Sequence, residues 1–250
     1  IAMKDVAIAV TEDLKAPSEN NILVTENNGI INGKKIAVPD AEISTHSIVV
    51  CKCESGISLQ LVDLSSPGVT IEQQETIDDS RGHFLINFEN VKSNLIGDKG
   101  NGWKSYETLI NQAAVFFSYE QIGGSQATLD MAINYAKERY AFGRPIGSYQ
   151  AIKHKLADMY IALTLAKSNC YYAAWALSTN SSDFPSASAT ARVSATKAYQ
   201  LCSQENIQTH GGNGFTWEYD CHMFYRRSKL LSLNIGSLSN WREKLVTSLE

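Results

Sequence analysis

The sequence predicts an α+β protein: a small β-barrel or β-sandwich domain over residues 1–98, followed by an antiparallel four-helix bundle over residues 99–250. Three observations predict it. The first hundred positions hold short β-branched runs separated by turn residues. The later positions hold long stretches poor in proline and glycine, and in one of these apolar residues recur at alternating spacings of four and three.

Taken in order, the strand candidates are VAIAV from Val6, IINGKKIAV from Ile30, SIVVCKC from Ser47, ISLQLVDL from Ile57 and HFLINF from His83. SENN, ENNG, ESG and SSPG punctuate them, residues that supply tight turns. Asn28-Gly29 and Asn32-Gly33 are expected to close two edges of one hairpin region. Trp103 to Arg139 contains no proline and Gln150 to Leu177 neither proline nor glycine. In the second stretch Ile152, Leu156, Met159, Leu163, Ala166, Cys170 and Ala173 form one apolar seam at helical period. FGRPIGS separates these two helices. A third helix is expected from Ser186 to Gln208, ended by the HGGNG loop, and a fourth helical region from Asp220, interrupted near Gly236.

Composition removes several classes of function. Lys and Arg number 22 against 26 Asp and Glu, so no basic footprint points to nucleic acid. No run of eighteen apolar residues predicts a membrane span. The five cysteines are an odd set without a CxxC pair, and no histidine lies at zinc-ligand spacing from them. They are read as core or surface residues of a reduced, cytoplasmic protein with no metal site. The opening IAMKDVAIAVTED lacks the basic-apolar-small order of a signal peptide.

Two stretches carry the candidate chemistry: ERYAFGRPIGSYQAIKHKLADMY over residues 138–160, and QTHGGNGFTWEY over residues 208–219. Each places glycines at a helix boundary, where free backbone N–H groups can hold an anion such as a pyrophosphate. Arg139 and Arg144 bracket the first turn, and a guanidinium grips phosphate oxygens in pairs. His210 is read as a loop-packing or pyrophosphate-proximal residue, not a proton shuttle.

Together the two stretches resemble the acyl-CoA dehydrogenase family. Its R-x-x-FG-x-PI-x-x-x-Q-x-x-x-x-x-LADM pattern is met by Arg139, Phe142, Gly143, Pro145, Ile146, Gln150 and Leu156 to Met159. Its Q-x-x-GG-x-G-[YF]-x-x-EY pattern is met by Gln208, Gly211, Gly212, Gly214, Phe215, Glu218 and Tyr219. The β region adds AVTED and NGKKIAV, which are similar to the family's L-x-TEP and NG-x-K-x-x-I/V. The resemblance implies FAD-dependent α,β-dehydrogenation of an acyl-CoA thioester, in which a carboxylate removes the α proton as a hydride leaves the β carbon for the flavin. It also implies a helical domain ahead of the β domain. This chain begins inside the β domain's first strand, so its 250 residues are expected to be the latter two parts of a three-part protein.

The family places its base either in a Y-E-G turn or on the first bundle helix, in an E-R pair. Matching MFYRRSKLLSLNIGS to the first pattern puts Asn234 at the tyrosine and Ile235 at the glutamate, with Gly236 retained. Counting back from Gly123 puts Ala113 and Ala114 at the E-R pair. Neither isoleucine nor alanine accepts a proton. Glu120 lies seven residues beyond Ala113, about 10 Å along a helix, and is read as a solvated or interface residue; Glu218 is read as structural. Where the family has W-[IV]-[TS] beside the flavin ring this chain has Ala37, Val38 and Pro39, which removes an aromatic surface, a hydroxyl and a backbone N–H. Thr11-Glu12 is retained, but LKAPSEN follows it in place of AGSD.

In the family the FAD pyrophosphate and adenine are gripped across a subunit interface by residues that correspond to Arg139, Phe142, Gln150, Gln208, Gly211 and Gly212, all present here. The favoured reading is therefore a non-catalytic subunit that completes a partner's FAD site in a homo- or hetero-oligomer. The alternative is a catalytically competent homomeric enzyme with a non-standard base. By resemblance the electron acceptor is an electron-transfer flavoprotein. Steroid side-chain, branched and straight acyl thioesters all stay open as substrates, and Phe116 and Phe117 are read as core, not pocket.

Overall fold

The β-branched runs of the first half pair into one mixed eight-stranded sheet in the computed structural model, which describes residues 5–248. The strands are β1 (Val6–Ala9), β2 (Thr25–Asn27), β3 (Ile30–Pro39), β4 (His46–Cys53), β5 (Gly56–Asp63), β6 (Val69–Gln74), β7 (His83–Lys92) and β8 (Asn94–Ile96). They lie in the order β6-β7-β3-β2-β4-β5-β8, with β1 paired to β4 off this path. β1 and β2 run parallel to β4, and the other pairs are antiparallel. One face of the sheet buries Ile31, Val49, Ile86 and Phe88. Side chains of this size each contribute about 1.5–3 kcal/mol when taken out of water.

The sheet corrects one turn assignment. Asn28 and Gly29, at φ 50 and 78, form the two-residue turn between β2 and β3. Asn32-Gly33 is not a turn but lies inside β3, where the register against β7 shifts between Ile31 and Gly33. Gly33 adopts φ 129, and a Cβ there would meet Val24 at 2.9 Å, so the glycine serves a bulge and a close backbone approach.

The second half forms α1 (Gly102–Glu138), α2 (Gln150–Ser178), α3 (Phe184–His210), α4 (Cys221–Leu233) and α5 (Leu238–Thr247). A short hairpin, β9 (Tyr140–Ala141) and β10 (Arg144–Pro145), joins α1 to α2. The chain divides into two compact units, one ending at Leu109 and one beginning at Ile110, a boundary inside α1. α3 begins two residues before Ser186, because Pro185 occupies the first turn, where its missing N–H breaks no helical bond.

Within the helical unit the seam of α2 (Met159, Leu163, Ala166, Cys170, Ala173) faces an alanine stripe of α3 (Ala187, Ala191, Ala195, Ala198). Small residues on both sides let the two helices approach closely. Phe116 departs from expectation: it is 69% exposed, because Val115, Ile122 and Leu129 define the inner stripe of α1 and the next position turns about 100° away. All five cysteines are free and buried, and among the described residues no helix is long and apolar enough to cross a membrane.

Candidate functional site

The end of α1 and the glycine loop after α3 close on one another within the helical unit. Met131, Asn134, Tyr135, Glu138 and Arg139 from α1 and the residue after it, with His210, Asn213 and Tyr219, line a cleft of about 410 Å³. Its aromatic wall is ordered by stacking. The ring of His210 lies 4.1 Å from that of Tyr135, and Tyr219 meets both edge-on at 5.4 and 5.8 Å. Nδ1 of His210 donates to the Asn206 carbonyl at 2.8 Å, and Asn213 Nδ2 donates to the Tyr135 hydroxyl at 3.0 Å. His210 thus packs and orients the loop, as read from sequence.

The six family-matched residues are all exposed in this chain. Arg139 follows the last residue of α1, and its guanidinium has no acidic partner among the described residues. Phe142 is 98% exposed at the tip of the β9–β10 hairpin, where it and Gly143 take φ 53 and 79. Gln150 opens α2, and Gln208 stands in the last turn of α3. Gly211 has φ 61 and ψ -133, and neither it nor Gly212 has an atom within 4 Å of where a Cβ would stand. Of the six only Arg139 lines the cleft, where it faces His210 and Asn213 of the glycine loop; Phe142, Gln150, Gln208, Gly211 and Gly212 are not among its walls. Arg139 offers an unpaired cation and Gln150 and Gln208 exposed amide side chains to a phosphate-bearing group, and Gly211 and Gly212 leave it room to approach, although the Gly211 N–H is already donated to the Gln208 and Ile207 carbonyls. Sequence reasoning passed over Met131, Asn134, Tyr135 and Glu138, although their spacing of three, one and three residues marks one face of the final turns of α1.

The stretch of β3 that the resemblance would set beside a flavin fits that role poorly. β3 is bulged between Lys35 and Val38, and Ala37 takes φ 52. The Ala37 N–H donates to Gln74 Oε1 at 2.7 Å, the Ile36 N–H donates to the Thr11 carbonyl at 2.8 Å, and Pro39 has no N–H. The donors that could face a flavin edge along residues 36, 37 and 39 are taken or missing. Glu12 is a structural clasp: it accepts from the Leu23 and Val24 amides and pairs with buried Lys35 at 2.6 Å.

The two residues matched by sequence to the family's base positions carry no ionisable group. Ala113 is half-buried on α1, and Ile235 sits in the turn between α4 and α5. Glu120 is gripped by Arg227, whose Nε and Nη2 both donate to Oε1 at 2.9 and 2.7 Å. Glu218, hydrogen-bonded by Thr216, is held below the usual carboxylate range, which makes it a weaker base.

Comparison with known proteins places the chain among acyl-CoA dehydrogenases. Residues 100–241 match the family model for the acyl-CoA dehydrogenase C-terminal domain. A probable acyl-CoA dehydrogenase, YngJ of Bacillus subtilis, is 33% identical over 83% of this chain and 57% of its own. Acyl-CoA dehydrogenase IpdE2 of Mycobacterium tuberculosis is 39% identical over 48% of this chain and 36% of its own. The chain therefore spans between about a third and three-fifths of these relatives. The crystal structure of an acyl-CoA dehydrogenase from Geobacillus kaustophilus superposes with a TM-score of 0.93, covering 98% of this chain and 68% of that one at 21% identity.

Proposed function

The chain belongs to the acyl-CoA dehydrogenase family, whose members are FAD-dependent flavoproteins, and on that premise we propose that it acts as a subunit without a base of its own, completing the FAD site of a partner subunit. The observation that carries this reading is the contrast between two sets of residues. Arg139, Phe142, Gln150, Gln208, Gly211 and Gly212 are exposed, while Ile235 and Ala113 occupy the base positions.

In the proposed assembly Arg139 neutralises phosphate charge, Gln150 and Gln208 donate or accept at the ligand's edge, and Gly211 and Gly212 let backbone approach without a Cβ in the way. Bound FAD supplies the hydride acceptor for dehydrogenation of an acyl-CoA thioester. The base comes from the partner. Members of the family form oligomers, and a same-family subunit is the proposed neighbour; an electron-transfer flavoprotein is the proposed electron acceptor, and the cytoplasm the proposed compartment. A homomeric enzyme with Glu120 as base is disfavoured by the Arg227 grip on that carboxylate.

The test is to express the chain alone and together with any acyl-CoA dehydrogenase-like chain found encoded beside it, recording flavin absorbance and turnover with a ferrocenium acceptor. Flavin and activity are expected only from the pair, and Arg139→Ala is expected to lower the flavin content of the pair. Ile235→Glu alone is expected to give no activity, because the altered Ala37–Pro39 strand remains. Flavin retention and turnover by the chain alone would overturn the reading.

A further inference from the structure

The turn between α4 and α5 carries a strain that the apolar core does not offset. Ile235 sits at φ 55, a left-handed conformation in which a β-branched side chain is an outlier and where glycine or asparagine is the ordinary occupant. The side chain is half-buried and belongs to neither apolar cluster.

The Gly236 N–H closes the turn on the Leu233 carbonyl at 3.1 Å, and two buried side chains hold its peptide planes. Arg192 of α3 is 1% exposed; its Nη2 donates to the carbonyls of Leu231 and Asn234, the latter at 2.9 Å. Its Nη1 donates to Gln121 Oε1 at 2.7 Å, and Gln121 Nε2 donates to Thr196 Oγ1 at 3.1 Å, so the guanidinium is anchored on α1 and α3. Trp241 of α5 is 2% exposed, and its Nε1 donates to the Ile235 carbonyl at 3.1 Å. The Asn234 and Ile235 carbonyls belong to the two peptide planes that meet at the Cα of residue 235. Holding both planes fixes φ and ψ there. The arrangement is costly in a second respect: Arg192 makes no salt bridge among the described residues, Glu120 acting on it only at longer range, and its Nε is buried without an acceptor. Local rules broken together at one place, with no gain in packing, mark a functional position.

We propose that Arg192 and Trp241 are positioning residues, clamping the peptide planes on either side of residue 235 so that its side chain is presented from the bundle instead of packed into it. This rests on reading position 235 as the family's base position: the mount is retained and the group it carries is apolar. In a catalytic relative the same clamp would aim a carboxylate; here it aims a sec-butyl group.

The test is a double-mutant cycle on the 250-residue chain carrying Trp103→Phe, with thermal unfolding of the helical unit followed by the fluorescence of its remaining tryptophans. Ile235→Gly in that chain, with no other change, is expected to raise the midpoint by about 2–4 °C, because the clamped conformation then costs nothing. In an Arg192→Met or a Trp241→Phe background the turn keeps its own Gly236–Leu233 bond but loses one of its side-chain holds, and the same substitution is expected to give a clearly smaller gain. Arg192→Lys, which keeps a donor, is expected to restore part of it. Equal shifts in all backgrounds would overturn the clamp, as would a lower midpoint for Ile235→Gly alone, which would make Ile235 a packing residue. Should Arg192→Met fail to fold, the Trp241→Phe arm removes one hydrogen bond while keeping a ring. The cycle needs neither flavin nor partner, so its failure and that of the proposed subunit role are separable.

Discussion

Gly123 and Gly124 stand side by side in α1 and are not equivalent. A Cβ on Gly123 would meet nothing within 4 Å, whereas a Cβ on Gly124 would overlap the ring of Tyr199, which is itself buried. Glycine inside a helix costs up to about 1 kcal/mol relative to alanine, so Gly123→Ala is expected to stabilise the chain by roughly 0.5–1 kcal/mol. Gly124→Ala is expected to destabilise it by about 1–3 kcal/mol, since a close-packed ring must move. Urea midpoints of the two variants check the contrast, and equal shifts would refute it. The sequence presents both residues as one Gly-Gly pair; only the tertiary contact with Tyr199, 75 positions away, separates them.

At the scale of elements, the β9–β10 hairpin sets stability against binding. Positive φ at Phe142 and Gly143 is the signature of a type I′ turn, whose first position favours asparagine. An aromatic residue there, fully exposed, serves neither the turn nor a core. Phe142→Asn is accordingly expected to raise stability by about 0.5–1 kcal/mol while lowering flavin retention in the co-expressed pair, a trade-off checked by unfolding and by flavin absorbance on the same variant. Unchanged flavin content would remove Phe142 from the proposed interface. The breaker residues of FGRPIGS were legible in the sequence, but the hairpin they form was not, because its two strands have two residues each and no alternation to display. For the same reason β2 and β8, three residues each, escape a reading that works well for β4 and β5. Long helices were legible almost to their ends, since period 3.6 over 27 or more residues leaves little ambiguity. The family-matched residues were legible as motifs, whereas the Arg192–Trp241 clamp was not: its partners are backbone carbonyls, which leave no trace in side-chain patterns.

Across the whole molecule the buried ionisable groups make the two units respond oppositely to mild alkali. In the β unit, burial lowers the Lys35 pKa from 10.5 to about 8, with Glu12 opposing part of that shift. Between those two values the unfolded chain binds a proton that the folded one has lost, so stability rises with pH. Burial pushes Cys51, in the same unit, up from 9.0 to about 12, so above pH 9 the folded state holds a proton that the unfolded chain releases, and this contribution falls with pH. The β unit should therefore gain stability between pH 8 and 9 and rise less steeply above, where Cys51 offsets Lys35; at Cys53 burial pushes the thiol up, but hydrogen bonds with Ser55 and Ser58 bring it below its usual range, which adds to the gain. Among the described residues the helical unit has no buried lysine to offset its thiols, and burial lowers its buried Arg192 only to about 10, so that opposing contribution begins at the top of the range. Burial raises Cys170 and Cys202 to about 12 and Cys221 in the same direction. Each thiol contributes a slope of up to about 1.4 kcal/mol per pH unit above pH 9, so this unit should be flat up to pH 9 and then weaken. Trp175, Trp217 and Trp241 all lie in the helical unit, and Trp103→Phe removes the remaining tryptophan, so fluorescence-detected urea unfolding between pH 7.5 and 10 reads that unit alone. A falling midpoint above pH 9 is expected, and conversion of Cys170 and Cys202 to alanine should flatten it; a midpoint that rises through the same range would show that the thiols are not the groups that set it.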